Sequence, residues 1–67
     1  MEQHPGLWIK IYRIKRGIPQ KEFARSMGIT SNFLSLVECG HRRPSLKLLY
    51  KISDSLGVPV AKLFERE

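Results

Sequence analysis

The chain has 67 residues, a formal net charge of +6 and an isoelectric point near 10.0; at that size it forms one small domain that buries little more than half of its unfolded surface, so it needs regular helices, a metal, disulfides or a partner subunit. The single cysteine, Cys39, excludes an internal disulfide and offers no metal cluster, which makes a reducing, cytoplasmic setting the expectation. No apolar run approaches the ~18–20 residues of a membrane span and there is no signal-peptide pattern, so a soluble chain is expected, one domain over 1–67 with its core in 6–64 and frayed ends at 1–5 and 65–67.

The first five residues show no periodicity, and a helical pattern runs over 6–16. Arg16-Gly17-Ile18-Pro19 breaks it: Gly17 can close the helix, and Pro19 suits the approach to the next one. The second helix is expected over 20–27, where Phe23, Ala24 and Met27 share a face. Gly28 supplies the positive φ at which it stops, and Thr30 or Ser31 offers the side-chain oxygen that caps a third helix over 31–38. There Leu34 and Val37 share a face with Glu38 beside them, and small Ala24 lets the two helices cross closely. The two form a helix-turn-helix, whose second helix can enter a major groove.

Residues 39–44, CGHRRP, form a loop: Gly40 ends the third helix and Pro44 keeps Arg43 out of helical conformation. Ser45 caps a fourth helix with an apolar face of Leu46, Leu49, Ile52 and Leu56, ended by Gly57. Val58-Pro59 starts a short fifth helix that returns Val60, Leu63 and Phe64 to the core. No strand pattern or repeat is present, so the fold class is all-α with five helices.

The charges are unevenly placed. Ten of the twelve basic residues lie between Lys10 and Lys51, where only Glu22 and Glu38 oppose them. A basic body carrying a helix-turn-helix points to a polyanion as partner, where charge alone would describe only a soluble surface.

The residues Arg13, Gly17-Ile18-Pro19-Gln20, Phe23-Ala24, Met27-Gly28-Ile29, Leu34-Ser35, Val37-Glu38, Gly40, Pro44-Ser45-Leu46 and Ile52…Leu56-Gly57-Val58 resemble, at matching spacing, the phage-repressor-like helix-turn-helix family of the Cro/cI or XRE type. The resemblance spans about 6–64. It implies a lambda-repressor-like domain that binds double-stranded DNA and regulates transcription, as a repressor or autoregulator of bacterial, phage or plasmid origin.

The resemblance also assigns roles. Ser31, Asn32, Ser35 and Leu36 take the positions that face base edges, with Asn32 able to pair bidentately with adenine. Leu36 departs from the long polar side chain usual there and offers only apolar contact, for instance to a thymine methyl. Phe33 also lies largely outside the core, the competing placement being against the loop after the third helix. Gln20 matches a glutamine that meets a phosphate at a helix N-terminus. Lys21, Thr30, His41, Arg42, Arg43 and Lys47 belong to the backbone-contacting set, and Arg42 and Arg43 can also reach a narrow minor groove. Arg13 and Glu38 match a partly buried structural ion pair.

The first helix carries a second apolar face. The resemblance turns Ile9 and Tyr12 inward, yet Leu7, Ile11 and Ile14 line the opposite side at i, i+4, i+7. Three aliphatics left in water forgo about 1.5–3 kcal/mol each, so a cover is expected. The cover can be a second subunit, the N-terminal tail or the C-terminal segment ending in Phe64. A homodimer is expected, through this stripe or through Val60, Leu63 and Phe64, and two recognition helices then read a palindrome. The alternative function is a protein-interaction module that uses Leu7/Ile11/Ile14 or Phe33/Leu36 without touching DNA. An enzyme reading finds no nucleophile–base pair and no phosphate loop. Cys39 and His41 supply at most two ligands of a zinc site, so no metal, cofactor or small-molecule ligand domain is expected.

Overall fold

A computed structural model describes residues 4–64. The described chain forms α1 (Pro5–Lys15), α2 (Gln20–Met27), α3 (Ser31–Glu38), α4 (Leu46–Leu56) and a closing 3-10 helix, Val60–Phe64, with no strand among them. The fold is all-α, and α2 and α3 are the helix-turn-helix. The expected fifth α-helix is a five-residue 3-10 turn instead. So short a segment gains little from i→i+4 bonding, and the Lys62 N–H closes the tighter ring onto the Pro59 carbonyl at 2.9 Å.

Capping explains where the helices begin. Thr30 Oγ1 accepts the Phe33 N–H at 3.0 Å and Ser45 Oγ accepts the Leu48 N–H at 3.1 Å, which settles Thr30 rather than Ser31 as the cap of α3. α1 starts earlier than the periodicity indicates. Pro5 occupies its first turn, and His4 Nδ1 accepts the Leu7 N–H at 3.2 Å. Residues 4 and 5, expected to fray, are therefore the helix start; residues 1–3 and 65–67, the rest of that expectation, lie outside the described residues. Between α2 and α3, Gly28 sits at φ 76°, a left-handed conformation that L side chains rarely adopt, and its N–H bonds the Ala24 and Arg25 carbonyls.

The core draws on every element: Ile9 from α1, Phe23, Ala24 and Met27 from α2, Leu34 and Val37 from α3, Leu49, Ile52 and Leu56 from α4, and Leu63 from the 3-10 helix. Leu63 is wholly buried, so it is withdrawn from the expected dimer surface. Leu46 is 61% exposed rather than on the inner face of α4. The steps Leu46–Leu49–Ile52 each fall about 60° short of a full turn, so Leu46 and Ile52 cannot share one direction. Buried Ile52 and Leu56 fix the inner face, and Leu46 is carried off it. Trp8 and Tyr12 lie half-buried against the core, their ring centroids 6.1 Å apart, and the Arg16 guanidinium stands 5.8 Å over the Tyr12 ring. Among the described residues no helix is long and apolar enough to cross a membrane.

Gly6 sets how closely α1 approaches the end of α3. It is buried, and a Cβ placed on it would fall on the Val37 carbonyl. Helix propensity alone favours alanine over glycine here by about 1 kcal/mol, but the clash reverses the sign. Gly6→Ala is expected to lower stability by about 1–3 kcal/mol, read as a lower midpoint in urea unfolding.

Candidate nucleic-acid interface

The position of α3 is fixed from behind by a buried polar cluster. Arg13 Nε donates to Glu38 Oε2 at 2.8 Å and Arg13 Nη2 to Glu38 Oε1 at 3.2 Å, a bidentate pair with both side chains buried. Arg13 Nη1 donates to the Ile18 carbonyl at 2.7 Å, and Gln20 Nε2 donates to Glu38 Oε1 at 3.1 Å. One guanidinium and one carboxylate thus hold together α1, the connection to α2, the first residue of α2 and the last of α3. With Leu34, Val37 and Glu38 turned inward, the other side of α3 is left outside.

That outer side carries Asn32, which is exposed, and Ser31, Ser35 and Leu36, which are half-buried. Phe33 is half-buried against the core cluster, so it lies neither free nor on the following loop alone; Leu36 is not part of that packing. The Thr30 oxygen accepts the capping N–H, which leaves its hydroxyl hydrogen available.

The loop after α3 is pinned by its backbone. The His41 and Arg42 N–H groups both donate to the Leu36 carbonyl, at 2.8 and 3.2 Å, and Pro44 is buried. The His41, Arg42 and Arg43 side chains are exposed on this fixed frame, as are Lys21 on α2 and Lys47 on the first turn of α4. No side chain caps α2, because Pro19 holds the N-cap position; its first-turn N–H groups are open to an outside acceptor. Gln20 is half-buried with one amide hydrogen given to Glu38, so it serves the cluster as well as the helix end.

Three supporting residues were not read from the sequence. His4, besides capping α1, lies against Gly40: a Cβ there would come 2.8 Å from His4 Nε2. Lys51 Nζ donates to the Met27 carbonyl at 3.3 Å, a cation at the negative end of α2. The third is Gly6, whose place in the first turn of a helix was its one signal. Cys39 is exposed as a free thiol, and among the described residues no group of three His, Cys, Asp or Glu can hold a metal ion.

Fold and outer face together define a helix-turn-helix domain. The family profile described as helix-turn-helix matches residues 9–63, and the chain belongs to that family, in its phage-repressor-like, XRE-type branch. It is 35% identical over 63 residues to the HTH-type transcriptional regulator SlrR of Bacillus subtilis, covering 92% of this chain but 41% of SlrR. It is 32% identical over 56 residues to an HTH-type regulator of Methanocaldococcus jannaschii, covering 84% of this chain and 85% of that one. Among solved structures it is similar to SinR, a master regulator for biofilm formation crystallised in complex with DNA. That match has a TM-score of 0.82 and 34% identity, over 91% of this chain and 98% of SinR.

Removing one partner of the buried cluster strands the other. Arg13→Ala is expected to lower stability by about 3–5 kcal/mol, whereas Arg13→Met combined with Glu38→Leu recovers most of the loss. Urea unfolding of the two variants beside the parent chain checks this.

Proposed function

We propose that this protein binds double-stranded DNA sequence-specifically and regulates transcription, with α3 lying in the major groove. The observation that carries this reading is the outer side of α3: a capped, rigidly backed helix presenting Ser31, Asn32, Ser35 and Leu36 beside an exposed basic loop. A relative solved with DNA at 34% identity supports it.

Asn32 reads by bidentate hydrogen bonds, suited to adenine N6 and N7; Ser31 and Ser35 bond base edges or nearby phosphates; Leu36 contributes apolar contact to a thymine methyl. Gln20, Lys21, Thr30, His41, Arg42, Arg43 and Lys47 hold the phosphate backbone and set the register without reading sequence. The second Gln20 amide hydrogen and the uncapped first turn of α2 suit a phosphate oxygen. The protein is a cytoplasmic repressor or autoregulator and not an enzyme; its relatives, named as transcriptional regulators, support the regulatory role.

On DNA it acts as a homodimer across a palindrome, with half-sites about one helical turn, ~34 Å, apart. With Leu63 withdrawn into the core, Phe64, which is 52% exposed, and half-buried Val60 offer the surface for a second copy. Selection from a random duplex pool identifies the operator, and the absence of any enriched site at low ionic strength would reject the reading.

Two substitutions separate reading from anchoring. Asn32→Ala should relax preference at one base pair of each half-site by about 1–3 kcal/mol while leaving the others unchanged. Arg43→Ala should weaken every sequence alike and reduce the salt slope by about two, one for each copy in the dimer. Titrations of the selected site and its single-base variants at several salt concentrations distinguish them; equal losses everywhere for both would remove the division.

A further inference from the structure

The outer side of α1 takes no part in the core or in the proposed DNA interface. Ile14 is 56% exposed and Leu7 and Ile11 are half-buried. None of the three belongs to the core cluster or to the half-buried side chains packed against it. Their i, i+4, i+7 spacing is the anchor pattern of one helix laid along another.

The stripe has charged borders of a single sign. At about 100° per residue, Lys10 falls on one edge of it and Lys15 on the other, and both are exposed. α1 contains no acidic residue. A second copy docking here about a two-fold axis across the helix runs antiparallel and sets Lys10 beside its own counterpart. About an axis along the helix it runs parallel and sets Lys10 beside the other copy's Lys15; in neither is there an acid on the helix to answer the charge. Like charges so placed oppose self-pairing and select a partner of opposite sign.

We propose that the outer face of α1 docks an acidic amphipathic helix from a different protein, its apolar side on Leu7, Ile11 and Ile14 and its flanking carboxylates at Lys10 and Lys15. Exposed ion pairs are individually weak, so the stripe supplies the affinity and the lysines the choice of partner. Docking there leaves α3 and the loop after it free, so the chain can hold this helix and DNA together.

The test uses the full chain and two synthetic helical peptides with one shared leucine stripe, one flanked by glutamates and the other by lysines. Trp8, the only tryptophan and the neighbour of Leu7, reports binding by fluorescence, and amide shifts map the surface. The glutamate peptide should bind more than about tenfold tighter than the lysine peptide, weaken with salt, and shift residues 7–15. Ile14→Asn, at an exposed position, should remove that binding without moving the unfolding midpoint. Lys10→Glu with Lys15→Glu should invert the preference towards the lysine peptide. Equal binding of the two peptides, or shifts centred elsewhere, would overturn the proposal. So would a concentration-dependent dimer that Ile14→Asn dissolves, which makes a second copy the occupant, or preferential adsorption of this face to vesicles of anionic lipid.

Discussion

The buried contact between Arg13 and Glu38 is the constraint from which the other positions follow. Apolar burial is non-directional, and a core built from Ile9, Phe23, Leu34 and Ile52 would tolerate some rotation of one short helix on another. A desolvated ion pair does not. Both charges are costly to remove from water, and the cost is offset only where each donor meets its acceptor. Here both carboxylate oxygens of Glu38 accept bonds, one of them from Gln20 as well, and the remaining guanidinium arm reaches the Ile18 carbonyl. Its contribution is to register more than to net stability: four segments are referred to one guanidinium–carboxylate pair.

From that register comes the division of α3. An eight-residue helix has little over two turns, so fixing its last residue on the inside fixes the facing of every other. Leu34 and Val37 then lie inward with Glu38, and Asn32 has no direction left but solvent. The same carbonyl that ends the helix holds the basic loop, since Leu36 O accepts from both His41 and Arg42. Arg42 and Arg43 accordingly project from a backbone that α3 itself positions.

Much of this was legible in the sequence, because several independent signals agree at the same residues. Gly28 between two amphipathic segments, and Ser45 and Thr30 ahead of apolar runs, mark the helix boundaries by mechanism. The illegible parts have physical reasons too. Histidine is not a usual N-cap, so the start of α1 at Pro5 was obscured. Leu46 obeys a spacing of three that is only near-helical, and tertiary packing decides which end of such a series is buried. Gly6 is required by the close approach of another helix, which no local pattern displays. The bond from Gln20 to Glu38 joins residues 18 apart and was hidden behind the glutamine's more familiar place at a helix start. Among the site residues, periodicity gave the inner face of Leu34 and Val37, and the outward set of Ser31, Asn32, Ser35 and Leu36 came from the family resemblance. Phe33 was the difficulty, since a ring at the edge of the inner face can be half-buried without being lost to it.

On the DNA-binding reading, Asn32 and Leu36 ask different things of this scaffold. They stand one turn apart on α3, and the asparagine can correct a small misplacement by rotating its amide about two side-chain bonds. A leucine discriminates a methyl group only by contact, and dispersion forfeits a quarter to a half of its strength with a gap of about 0.5–1 Å. A family position usually filled by a long, adaptable polar residue is therefore filled here by one that needs the helix to arrive in a single place. The buried pair behind α3, joined by Gln20 at the very helix end that faces phosphate, supplies that rigidity. Apolar reading at Leu36 and the charged cluster at Arg13 and Glu38 are two sides of one design: the less a reading residue can adjust, the more firmly its helix has to be held.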